Sequence, residues 1–434
     1  MRSLILLLIA FGISAISCRD NKPEVPEISK LAADYVKLGL AIGQYDPDFV
    51  DAYYGPDSLQ PTDPKAALFP KDKFLLKVAF LQSALQSLTT DPNADTQIRA
   101  KWLVEQLKAY SRRIRIFAGE TASFDEEAQD LFGVKAPSYA MSHFDSLLGK
   151  MDKALPGKGT LAERYQKLSD RFVVPKAKLD TLFKTAIAEA AKRTKSHINL
   201  PPNESFKLEY VSDKPWSGYN WYKGNYQSLI QINTDLPILI ERVIDVGCHE
   251  SYPGHHVYNM MLEQHLFHEK GWIEISLYPL FSPQSLIAEG SGNYGIEVAF
   301  PGKEYVNYAK QVLLPMAGMD TTGIETYLEI LALKGDLNYA RNEVARALLS
   351  GKIDDQEAVL RLMKYNLSKE ASAKKSVDFI RKYRSYVLCY NFGKDLVKSY
   401  VEAKGGTDDN PTQRWKVFAE LLSNPVTSAQ LQGR

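Results

Sequence analysis

The sequence predicts a mainly α protein of many helices with one small β-sheet. Three features predict it. Apolar residues recur at helical spacing along most of the chain. A short region between Ser205 and Asn233 alternates polar and apolar instead, and the chain then enters a helix carrying His249 and Glu250. At 434 residues the chain is ample for a large core in one or two closely packed domains.

In chain order, Arg2 and an apolar run from Leu4 to Ile16 come first, a signal-peptide core too short for an ordinary membrane span. The run ends at Ala15-Ile16-Ser17-Cys18, which resembles a lipobox with Ala15 where leucine is usual. Residues 1–17 are therefore expected to be a signal peptide and 18–26 a polar tether lipidated at Cys18. That makes the protein exported and anchored to the bacterial cell envelope, at the outer membrane or periplasmic face.

Helices are expected next at about 27–44, 71–88, 138–152 and 160–172. Leu103, Leu107, Tyr110, Ile114 and Phe117 step by four and three along another. Leu179, Leu182, Phe183, Ala186, Ile187 and Ala190 follow one buried helical face. A Pro-rich break, Asn199 to Asn203, divides a helical region, 27–200, from the region carrying the chemistry, 201–434. There Ser205–Val211 and Ser228–Asn233 alternate as strands, with Gly218–Gly224 a third strand and turn between them. Helices follow at about 239–252, 284–299, 303–316, 322–350, 355–366 and 370–403.

Charge and cysteine content exclude several classes. Removing residues 1–17 deletes Arg2, leaving 52 basic against 52 acidic residues, so no long-range attraction for nucleic acid or anionic lipid is expected. With Cys18 set aside, only Cys248 and Cys389 remain, which reads as two buried free thiols rather than a disulfide framework. Nothing in the sequence specifies an oligomeric state.

Five of the seven histidines fall between His249 and His268, three of them in His249-Glu250-Ser251-Tyr252-Pro253-Gly254-His255-His256. A His-Glu pair with histidine just downstream is how zinc hydrolases place two imidazoles and one carboxylate around an ion. On an unbroken helix, six residues are roughly 600° of rotation, so His255 would point away from His249. His256 would return to the same face but roughly 10 Å along the axis. Pro253-Gly254 supplies the missing bend, read as a two-residue bulge in which glycine permits a positive φ and His255 swings back toward the ion. A third ligand is expected on a later helix. Glu289 is the best candidate and Glu297 the alternative in reach, while His265 and His268 read as surface residues.

His-Glu-x-x-Pro-Gly-His followed by Glu-Gly-x-x-x-Tyr resembles the bacterial domain-of-unknown-function 885 family, which bears the marks of zinc peptidases related to the gluzincins. Asp51-Ala52-Tyr53-Tyr54-Gly55-Pro56, Phe117-Ala118-Gly119-Glu120 and Tyr390-Asn391-Phe392-Gly393 are similar too. The resemblance implies a gluzincin-like multi-helix architecture, with His249, His255 and Glu289 as zinc ligands and Glu250 as general base. The family usually has Glu-Gly-Trp-Ala-Leu-Tyr where this chain has Glu289-Gly290-Ser291-Gly292-Asn293-Tyr294, so a helix weakened by glycine and a pocket lacking the tryptophan are expected.

Three protein ligands leave a fourth position for water, activated by zinc and deprotonated by Glu250. Arg384, Tyr386 and Tyr390 are the candidate donors to a developing oxyanion, with Tyr386 and Tyr390 on one helix face. His256 and Asn293 are expected beside the ligands. The sheet ahead of the zinc helix would hold an extended peptide substrate by strand addition. The expectation is a zinc metallopeptidase, the alternative a non-catalytic peptide- or glycan-binding lipoprotein with a degenerate metal site.

Overall fold

A computed structural model describes residues 26–433. The signal-peptide and lipidation readings, Cys18 included, fall outside these residues. Among the described residues no helix is long and apolar enough to cross a membrane.

The fold is mainly α, with the small sheet placed directly before the His249 helix. In the N-terminal part, helices Glu27–Gly43, Lys71–Leu88 and Ala94–Phe117 pack together. Their stripes meet in a buried aromatic cluster, where Tyr110 stacks on Tyr35 with ring centroids 4.8 Å apart and takes Phe49 edge-on. The Leu103–Phe117 stripe is buried as far as Ile114, whereas Phe117 at its end is exposed. A capping box of Ser123 and Glu126 starts a further helix, Phe124–Phe132, that periodicity alone does not reveal.

Among the described residues five strands form two sheets. β1 (Val50–Tyr53) pairs antiparallel with β5 (Leu277–Pro279), joining distant parts of the chain. β2 (Ser205–Val211), β3 (Gly218–Gly224) and β4 (Gln227–Asn233) form a second sheet in the order β2-β4-β3, with β2 parallel and β3 antiparallel to β4. The β3–β4 turn holds Asn225 and Tyr226 at φ of 52° and 61°, a cost that buried Glu263 offsets by accepting both backbone N–H groups. This order leaves β3 as an edge strand.

The His249 helix runs from Ile240 to Glu250, and a new helix starts at His255 and runs to Leu262. The interruption is four residues, Ser251–Gly254, rather than a two-residue bulge, and the Tyr252–Pro253 bond is cis. Gly254 does not take a positive φ; it stands at −81°. What requires glycine is space, since a Cβ there would lie 1.9 Å from the His249 carbonyl oxygen.

Two long helices expected in the C-terminal part are broken. A 3-10 turn at Asp336–Asn338 separates Ile324–Gly335 from Tyr339–Leu349. Another at Arg384–Val387 separates Glu370–Tyr383 from Leu388–Ala403, with Arg384 at a φ of 55°. At the centre, Pro283–Ala299 lies against Leu388–Ala403. Gly290 and Gly393 face each other so closely that a Cβ on Gly290 would fall 2.4 Å from the Gly393 carbonyl oxygen. Cys248 and Cys389 are buried and free, as expected.

Candidate metal centre

His249 occupies the last turn of Ile240–Glu250, and His255 the first position of the helix beyond the break. The four intervening residues reverse the chain enough to turn both imidazoles onto one point. Their Nε2 atoms lie 3.1 Å apart. Glu289, from the middle of Pro283–Ala299, brings Oε2 to 3.1 Å from His249 Nε2 and 3.7 Å from His255 Nε2.

These residues form a group that could hold a metal ion. Ligands about 2.0–2.1 Å from a tetrahedral zinc stand about 3.3 Å apart, close to the three separations seen. Glu289 Oε2 is buried without a hydrogen-bond donor, while Oε1 accepts from the Tyr386 hydroxyl at 2.7 Å. An acceptor left bare between two imidazole nitrogens is what a cation would satisfy.

The electrostatics agree. Burial works against a charge on His255, but the neighbouring carboxylates, Glu289 first and then Glu250 and Asp51, push its pKa up to about 9. Burial likewise raises Glu289, and His249 and His255 outweigh it, holding the carboxyl well below the usual range. Glu250 is raised by burial against the opposing pull of the two histidines. Its carboxylate lines the same cleft, and Asn220 of β3 anchors its backbone by donating to the Glu250 carbonyl oxygen at 2.7 Å.

The glycines after Glu289 have a steric role. A Cβ on Gly292 would sit 2.9 Å from His249 Nδ1, so glycine gives the imidazole its place. The helix is intact from Pro283 to Ala299 despite its glycines.

Other expected residues are distributed unevenly. Tyr386 supports Glu289, and Tyr390 lines the cleft with its ring 6.3 Å from that of His249. Asn293 also lines the cleft and donates to the Tyr390 carbonyl oxygen at 3.0 Å. Arg384 does not reach the site: the positive φ at the helix break turns it onto buried Glu127, which takes its Nε at 2.9 and 3.0 Å. His256 faces away as well. Its ring is fully buried, with Nδ1 2.8 Å from Ser228 Oγ and Nε2 3.0 Å from Glu204, so it braces the sheet and has no nitrogen free for a ligand. Glu297 is held by Lys394 and Lys398, which leaves Glu289 as the carboxylate at the histidines. His265 pairs with Glu269 and His268 with Glu263, both partly exposed.

One residue at the site was hidden from the sequence. Asp51 of β1 lines the cleft, accepts a hydrogen bond from the Tyr219 hydroxyl of β3, and lies within the field of His255, Glu289 and Glu250. Burial raises its carboxyl to about 6, against the pull of Tyr219 and His255. The available signal was the Asp51–Pro56 segment itself, whose chemistry depends on a pairing with β5 that spacing does not disclose.

The cleft over these groups has a volume of about 1470 Å³, larger than a typical small-molecule pocket. Trp216 and Ser217, with Gly218 to Asn220 at the start of β3, form part of its wall.

No protein-family model matches the chain, and no curated protein matches it. Among solved structures, a lipoprotein candidate from Colwellia psychrerythraea superposes with a TM-score of 0.54 at 16% identity, over 83% of this chain and 65% of that one. The chain thus spans about two thirds of that protein's length, and the likeness shows a shared fold. A lipoprotein candidate of unknown function from Shewanella oneidensis gives 0.47 at 15% identity, over 84% and 72% of the two chains. An M32 carboxypeptidase from Deinococcus radiodurans R1 gives 0.46 at 10% identity, over 93% of each.

Proposed function

We propose that this protein is an exported, lipid-anchored zinc peptidase that hydrolyses peptide bonds in the cleft above His249, His255 and Glu289. One observation carries the reading: two imidazole nitrogens and a bare carboxylate oxygen converge within 3.7 Å of one another beside a second buried carboxylate, Glu250. The motif resemblance to the domain-of-unknown-function 885 family supports it, and so does the space that Gly292 leaves for His249, which answers the altered helix sequence.

Bound zinc would supply Lewis-acid activation of a water and of the scissile carbonyl. The rest falls to the chain. Glu250, whose carboxyl burial raises above its ordinary value, takes a proton from the attacking water and delivers it to the leaving amine. Asn220 fixes the end of the helix that carries Glu250. Tyr390, which lines the cleft, is assigned the role of donor to the oxyanion. β3 is an edge strand whose first residues line the cleft, and it is the element to which an extended peptide would add.

The test is direct. Purified protein should bind close to one zinc per chain, and Glu250→Gln should abolish hydrolysis of a peptide library while retaining the metal. Wild-type protein without stoichiometric zinc after reconstitution would sink the proposal.

A further inference from the structure

Five basic side chains line the cleft: Arg242, Lys334, Arg341, Lys375 and Lys394. Four have polar partners. Arg242 lies 3.7 Å from Asp245 and donates to Ser217 Oγ, Lys375 lies 2.5 Å from Asp235, Lys394 pairs with Glu297, and Lys334 donates to the Tyr165 hydroxyl at 3.3 Å. Arg341 differs. Among the described residues it has no hydrogen bond and no carboxylate within ion-pair distance, and its Nε is buried without an acceptor.

Arg341 as a whole is only partly buried, and the one guanidinium nitrogen withdrawn from water, Nε, is left without the acceptor that would offset its desolvation. Arg341 nevertheless has a fixed position. Its guanidinium carbon sits 4.8 Å from the centroid of Phe379, over the ring. Phe379 in turn lies 6.0 Å from Tyr390, and Tyr390 lies 6.3 Å from His249. The unpaired cation therefore stands on the same cleft wall as the metal-ligand group, one aromatic layer beyond Tyr390.

We propose that Arg341 receives the free α-carboxylate of a peptide, so that the cleft acts at substrate C-termini. This rests on the peptidase reading and narrows it to carboxypeptidase action. A carboxylate matches the fork of a guanidinium in two parallel hydrogen bonds, and its charge supplies the partner that the protein withholds. In the reaction the C–N bond of the terminal residue breaks. Water provides the oxygen that joins the acyl carbon and the proton that the released amine gains, and the departing amino acid retains its carboxylate on Arg341.

Binding isolates the role from turnover. Zinc-loaded Glu250→Gln protein is titrated calorimetrically with one peptide in three forms: free C-terminus, C-terminal amide, and an amide ending in Glu. The free acid should bind at least about tenfold more tightly than either amide. Arg341→Gln should bring it to within about twofold of the amide, and Arg341→Lys should recover part of the difference. Because Arg341→Gln removes an unpaired charge, its Tm should be no lower than that of the parent; a purely structural arginine would give a fall. Equal binding of acid and amide, or a preference untouched by Arg341→Gln, overturns the proposal. Tight binding of the Glu amide would instead assign Arg341 to a side-chain carboxylate. If wild-type protein hydrolyses acid and amide with the same kcat/KM, the peptidase reading stands and the carboxylate assignment falls. If no form is bound or cleaved, both fall.

Discussion

The two oxygens of Glu289 have different surroundings, and the difference fixes how the carboxylate is presented. Oε1 accepts from Tyr386, which is 4% exposed, so the carboxylate cannot rotate and Oε2 stays between the imidazoles. Tyr386→Phe keeps the ring, which packs edge-on against Phe132 and Phe281, and deletes only the hydroxyl. Zinc affinity should fall about tenfold with one ion still bound, as measured by competition against a chelating dye. An unchanged affinity would remove Tyr386 from the support of the site. His249, Glu250, His255 and Glu289 are legible in the sequence because each sits in a short motif with unusual spacing. Asp51 is not, since its partner Tyr219 is 168 positions away. Arg384 misleads for a local reason: a basic residue beside two tyrosines reads as a site, yet a single left-handed residue directs it to Glu127.

At the scale of elements, the His249 helix carries a titrating group at its other end. Glu241, in the first turn, is 3% exposed, and its Oε2 has no hydrogen-bond partner. Burial, reinforced by the charge of Asp245, pushes it up from 4.5 to about 7. The folded state therefore holds this proton more tightly than the unfolded state does. The group's contribution is full below about pH 4.5 and is lost as the pH rises through about 7. Glu241→Gln should match wild type near pH 5 and exceed it at pH 8 by on the order of 3 kcal/mol, measured by urea unfolding at both values. An equal difference at the two pH values would contradict this origin. Among elements, the seven-residue strands β2, β3 and β4 are legible because alternation accumulates over their length. β1 and β5, of four and three residues, are too short for any period to register. The helix break after Glu250 is visible in Pro253-Gly254, but its extent is set by the approach of Gly254 to the His249 carbonyl.

For the whole molecule, arginine–carboxylate pairs tie the N-terminal helices to the half that carries His249, His255 and Glu289, among them the following three. Arg99 meets Glu274 at 2.7 and 2.8 Å, Arg346 meets Asp125 at 2.8 Å, and Arg384 meets Glu127. The first and last involve carboxylates with almost no solvent exposure, Glu274 at 1% and Glu127 at 0%. Such pairs gain little over apolar packing when whole, but losing one partner strands a buried charge. Arg384→Ala should therefore destabilise the protein by about 3 kcal/mol, and Arg384→Met combined with Glu127→Gln should regain most of that loss. Arg384 does not line the cleft, so each variant should keep wild-type turnover per folded molecule at temperatures well below its Tm. Thermal unfolding with peptide hydrolysis on the same samples separates the two effects. A tenfold fall in kcat for fully folded Arg384→Ala would return this arginine to the catalytic machinery; a lower Tm with unaltered kcat places it in the frame that holds the cleft walls together.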